Sequence, residues 1–152
     1  NFNEAENYCK WNKKRIPTIK EWELAAYTEF RLNNKDGYKF KKSYPYPTGE
    51  NTLGLNCLND CNFNYPSKYS KFLLRGYGHV LTSSTKKGIN GLYDMGGNVW
   101  EWVDINDNSY KGTKGGSWWY GKNQMIQGYN ATKPKNMSAV YIGFRCVKDF
   151  KN

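Results

Sequence analysis

Two carboxylates bracket a glycine turn in the middle of this chain: Asp94 precedes Gly96-Gly97-Asn98, and Glu101 follows it. That arrangement brings hard oxygen ligands and freed backbone carbonyls towards one point, which is what a calcium ion requires. A second turn signal, Asn90-Gly91, opens the segment. The run Val99-Trp100-Glu101-Trp102-Val103 closes it with an alternation that reads as a strand with two differing faces. A structural reading of the same residues has Trp100 and Trp102 filling core while Asp94 caps a turn. Spacing alone leaves both open.

Other chemistry-bearing residues are few. His79 is the single histidine, so a His-triad iron or zinc centre cannot be built from this chain. A lone imidazole in a loop is more often a surface or hydrogen-bonded residue than a ligand. A Ser-His-Asp relay would lack its Gly-x-Ser-x-Gly elbow. The cysteines at 9, 57, 61 and 146 do not make the paired C-x-x-C knuckles of structural zinc.

Two helices are predicted ahead of these residues. Residues 3–14 read as a helix with Asn3 as N-cap and Glu6 closing a capping box, with Ala5, Tyr8, Cys9 and Asn12 on one face. Thr18, after Pro17, starts a second helix with Glu21 three later, and Ile19, Trp22, Ala25, Ala26 and Phe30 line one side. From Arg31 to Ile89 the periodicity fades and Gly, Pro and Asn punctuate the chain every few residues, which predicts long irregular coil. At 152 residues the chain fits one domain. Aromatics reach 17%, so a few large rings must do much of the packing. No apolar run approaches the ~20 residues of a membrane helix. The net charge of +10 is spread along a chain rich in Asn, Tyr and Ile, as an AT-rich genome would produce. With no nucleic-acid module in view, no nucleic-acid partner is expected. An anionic glycan or membrane surface remains compatible with that charge.

The segment 90–103 resembles the signature of the formylglycine-generating enzyme (sulfatase-modifying factor) family. Three further blocks agree in order and rough spacing. They are Tyr8-Cys9-Lys10-Trp11 running into residues 15–26, Lys114-Gly115-Gly116-Ser117-Trp118, and Ile142-Gly143-Phe144-Arg145-Cys146. The resemblance implies an α+β, modified C-type-lectin-like fold with two helices, short antiparallel strands and much coil. It implies a single domain over residues 1–152 that lacks the family's first strands and belongs, as a monomeric unit, to a longer chain. It also implies a Cys9–Cys146 disulfide, leaving Cys57 and Cys61 to each other, and so an extracytoplasmic setting; four free thiols in a cytosolic protein is the competing reading. One family ion site matches here at Asp94, the carbonyls of Gly97 and Val99, and Glu101, which implies a structural calcium ion. Another family site keeps Asn56 but meets Arg75 where an acid is expected, and should be lost.

Active relatives oxidise a substrate cysteine with copper and two cysteines that follow the Gly-Gly-Ser motif. Tyr120 and Met125 fall at those positions, and no cysteine occurs between Ser117 and Arg145. A phenol and a thioether do not replace a thiolate pair for a soft cuprous ion, so neither copper nor the oxidase activity is expected. What remains is a lectin-like surface at Trp119, Tyr120, Lys122, Asn123, Gln124, Gln127, Tyr129 and Tyr141, whose rings and amides have the composition of recognition loops. Trp118 is expected in the core. In the similar retroelement-diversified proteins, the stretch between Gly-Gly-Ser-Trp and Gly-Phe-Arg is variable. Arg145 is expected to satisfy loop carbonyls near the central motif. The expected role is therefore a non-catalytic module binding a protein, peptide or glycan. The alternative is an oxidoreductase-type maturation enzyme with altered chemistry on the same scaffold.

Overall fold

The computed structural model describes residues 1–63 and 78–150. Helix α1 spans Phe2–Trp11 and α2 spans Ile19–Tyr27. Four strands follow: β1 (Trp100–Val103), β2 (Tyr110–Lys114), β3 (Ala131–Pro134) and β4 (Ile142–Gly143). They form one sheet in the order β3-β2-β1-β4. The first two pairings are antiparallel, whereas β4 runs parallel to β1, with Glu101 opposite Gly143. The fold is α+β with short strands, and the sheet is mixed rather than wholly antiparallel.

The second helix starts where its capping box predicts, Thr18 accepting from Glu21 N and Glu21 reaching back to the Thr18 N–H. The first starts two residues earlier than expected. Its N-cap is Asn1, boxed by Glu4, and not Asn3 with Glu6. That register buries Phe2, Ala5 and Cys9 against Ile16 and Trp102, and this packing decides between two overlapping cap signals. Phe30 does not continue the apolar side of α2 and is exposed. Asn90, at φ 55°, ends that helix by donating from Nδ2 to the carbonyls of Ala25 and Thr28.

Strand β1 is buried at every position, which corrects the expectation of two differing faces. Trp102 packs under α1 with Phe2, while Val103 packs with Trp22, Ala26 and Tyr27 of α2. Glu101 shares the Val103 face and is tolerated there because its oxygens are bonded. Two disulfides, Cys9–Cys146 and Cys57–Cys61, consume all four cysteines. The Cys9–Cys146 bridge ties α1 to the segment after β4. Among the described residues no helix is long and apolar enough to cross a membrane.

Candidate functional site

The glycine turn is docked on three sides. Gly97 N donates to Gly115 O at 2.8 Å, Asn98 N to Asn56 O at 2.7 Å and Trp118 N to Asn98 O at 2.9 Å. Gly97 has φ 71°, and a Cβ there would sit 2.2 Å from the Asn56 carbonyl oxygen, so only glycine fits. Asn56 is fully buried and its Nδ2 donates to Gly78 O and Asn98 Oδ1. It therefore helps position the turn. Arg75, the other residue of the expected lost ion site, lies outside the described residues.

Asp94 and Glu101 come together as the spacing suggested. Both border a cavity of about 550 Å³, along with Val99, Asn98 and Arg145. Asp94 accepts from Ser83 N and Thr85 Oγ1, each at 2.7 Å. Glu101 accepts from Trp22 Nε1 at 2.7 Å and takes a bidentate pair from Arg145, Nε to Oε2 at 2.6 Å and Nη2 to Oε1 at 2.7 Å. Arg145 also donates to Tyr93 O at 3.0 Å, the loop-carbonyl contact expected of it. Burial works against the Arg145 charge, but Glu101, with Asp94 adding, outweighs it and holds the guanidinium above its ordinary pKa. Of the residues expected to hold a calcium ion, Asp94, Val99 and Glu101 border this cavity, whereas Gly97 is not among its lining residues. Any ion there would meet a Glu101 that a guanidinium already neutralises, and would draw its remaining ligands from carbonyls and solvent.

At the two positions that the resemblance assigns to the thiols of active relatives, Tyr120 and Met125 have different surroundings. Met125 is fully buried with Leu55, Cys57 and Cys61, and its carbonyl accepts from Tyr27 Oη. Tyr120 is half-buried, and its carbonyl accepts from Leu58 N at 3.0 Å. Cys57 and Cys61 therefore lie beside this region as a disulfide and not as thiolates.

Above them runs a contiguous set of rings. Trp119 and Tyr120 both contact Tyr141, at 5.8 and 5.9 Å between centroids, and Tyr120 and Tyr129 both lie on Trp100, at 5.5 and 6.1 Å. Trp118 is core, as expected, and packs edge-on against Trp119. Lys122, Asn123 and Gln124 follow on a single 3-10 turn, Lys122–Met125. Gln127 is drawn away from this set. Its N–H donates to Pro45 O and its Oε1 accepts from Ser43. The sequence reading missed Lys114. This lysine is fully buried, with Nζ donating to Glu23, Tyr129 O and Asn130, so it pins the loop that carries Tyr129. Burial pushes its pKa below the ordinary lysine value, and Glu23 holds it up in part. Its one signal was a charge directly before the Gly-Gly-Ser motif.

The model of the sulfatase-modifying factor enzyme 1-like domain matches residues 1–150. The chain belongs to that family. It is 32% identical over 122 residues to the inactive C-alpha-formylglycine-generating enzyme 2 of Bos taurus, covering 77% of this chain and 36% of that protein. It is 29% identical to the serine/threonine-protein kinase Pkn1 of Chlamydia trachomatis, covering 97% of this chain but 23% of the kinase. The chain thus spans 36% and 23% of the length of these two relatives. Among solved structures, CarF superposes with a TM-score of 0.62 at 23% identity, over 91% of this chain and 48% of that one. PvdO from Pseudomonas aeruginosa superposes at 0.61 and 18% identity, over 94% and 57%. These two show the shared fold.

Proposed function

We propose that this domain is catalytically silent and serves as a binding module for a protein, peptide or glycan. One observation carries the proposal: every cysteine is in a disulfide, and the residues at the thiol positions are a half-buried tyrosine and a core methionine. No thiolate is left to hold copper or to exchange with a substrate cysteine. The name of the bovine relative, an inactive formylglycine-generating enzyme, agrees with this reading. The ring set at Trp119, Tyr120, Tyr129 and Tyr141 supplies rigid contact area at low entropic cost. Beneath it, the indole N–H groups of Trp100 and Trp118 are buried with no acceptor among the described residues. The paired cysteines suit an oxidising, extracytoplasmic compartment.

The same proposal keeps a structural calcium ion at Asp94, Gly97, Val99 and Glu101, in a supporting role because Arg145 already clamps Glu101. Two measurements test it. An aerobic assay with supplied copper on cysteine-containing peptides, read by mass spectrometry, should show no oxidation; turnover would restore the maturation-enzyme alternative. Melting with calcium and with chelator should differ by a small but reproducible shift, and identical curves would remove the ion.

A further inference from the structure

A different surface of the molecule gathers positive charge and exposed rings. The segment leaving α1 (Lys13, Lys14, Arg15) and the segment after β4 (Lys148, Asp149, Phe150) border a cavity of about 700 Å³. Two backbone bonds between Arg15 and Val147, at 2.8 and 2.9 Å, and the Cys9–Cys146 disulfide hold these walls in register. Arg15 is committed internally. Its guanidinium pairs with Glu21 and with Asp149, whose Oδ1 lies 2.6 Å from Nη2. Lys13, Lys14 and Lys148 are exposed, and none has a carboxylate within ion-pair distance among the described residues. Phe150 is 98% exposed and Trp11, two residues before Lys13, is 77% exposed. Tyr8 continues the apolar surface from Trp11 to Phe144, with centroid distances of 5.9 and 5.5 Å.

We infer that this face docks on an anionic membrane surface as a peripheral contact. The chemistry separates this occupant from a soluble polyanion. A polyanion recognised by geometry draws on bidentate guanidinium contacts, and the guanidinium here is already saturated by two carboxylates. What faces solvent is a set of point-charge ammonium groups flanked by rings. Lysines answer a diffuse negative surface without fixed geometry, and Trp and Phe gain by entering the headgroup boundary. A polyanion in water would leave both rings exposed. The inference does not draw on the ring contacts of Trp119 and Tyr120 with Tyr141.

Flotation of the 152-residue chain with phosphatidylcholine vesicles, with and without phosphatidylglycerol, tests it. Binding is expected only with the anionic lipid, and it should weaken with added salt. Removing the three charges as K13N/K14Q/K148Q should lower the partition coefficient by roughly a hundred-fold, about five-fold for each lysine. Asn is chosen at 13 because that residue sits at φ 55°. The double variant W11A/F150A should also weaken binding, and whatever remains should vanish at high salt. Melting temperatures of both variants should match the parent, since none of the five side chains is buried. Equal binding to neutral vesicles, or no binding to either, overturns the inference. So does tight binding to heparin that W11A/F150A leaves unchanged, which would identify a soluble polyanion.

Discussion

Replacing Arg145 by methionine asks whether a guanidinium, more than an ion, stabilises the glycine turn. The substitution removes two charge-assisted contacts to Glu101, at 2.6 and 2.7 Å, and one to the Tyr93 carbonyl at 3.0 Å. Glu101 is 5% exposed, so its carboxylate would be left buried with only the Trp22 indole N–H as a described partner. Breaking a buried pair from one side costs about 3–5 kcal/mol. Because 26% of the Arg145 side chain still meets solvent, the lower end applies, about 3 kcal/mol. For a chain of this size that is a fall in Tm of roughly 6–12 °C, measured by calorimetry and checked by urea unfolding. The double variant E101Q/R145M removes the stranded charge and should recover at least half of the loss. Calcium should stabilise R145M more than the parent, because Asp94 and Glu101 are then without their cation. If R145M melts within about 2 °C of the parent and calcium moves both alike, the clamp is not where this reasoning places it.

Two further outcomes are expected. C9A/C146A opens a loop closed across 137 positions, which in the chain-entropy argument removes about 5 kcal/mol and should lower Tm by roughly 10–20 °C; a change under a few degrees would mean that packing of α1 alone holds the ends. Glu21 is held by Arg15 at a pKa of about 2 instead of 4.5, against a smaller opposing effect of burial. Its contribution is present in full above pH 4.5 and is lost as pH falls towards 2, because the unfolded chain then binds the extra proton; E21Q should flatten the acid limb of a pH–stability curve in that window.

Much of this architecture was legible locally. The Thr18–Glu21 box and the grouping of Asp94 with Glu101 each depend on residues within a few positions of one another, whereas the need for glycine at position 97 comes from the distant Asn56 carbonyl. Where the reading slipped, a distant contact had cast the deciding vote. Asn1 displaced Asn3 as cap because Phe2 and Ala5 had a tryptophan from β1 to pack against, and α2 stopped short of Phe30 because Asn90 reached across to its last carbonyls.

Taken alone, the order of residues established the family-like motifs, the missing thiols after Ser117 and the two carboxylates around the turn, since each is a matter of identity and short spacing. Only folding decided what those groups meet. It brought Arg145 onto Glu101 from 44 positions away, buried Lys114 against Glu23 from 91, and packed Met125 against the Cys57–Cys61 pair. The physical reason is that a buried charge or thiol takes its chemistry from its neighbours, and side chains so far apart in sequence become neighbours only when helices and sheet pack together.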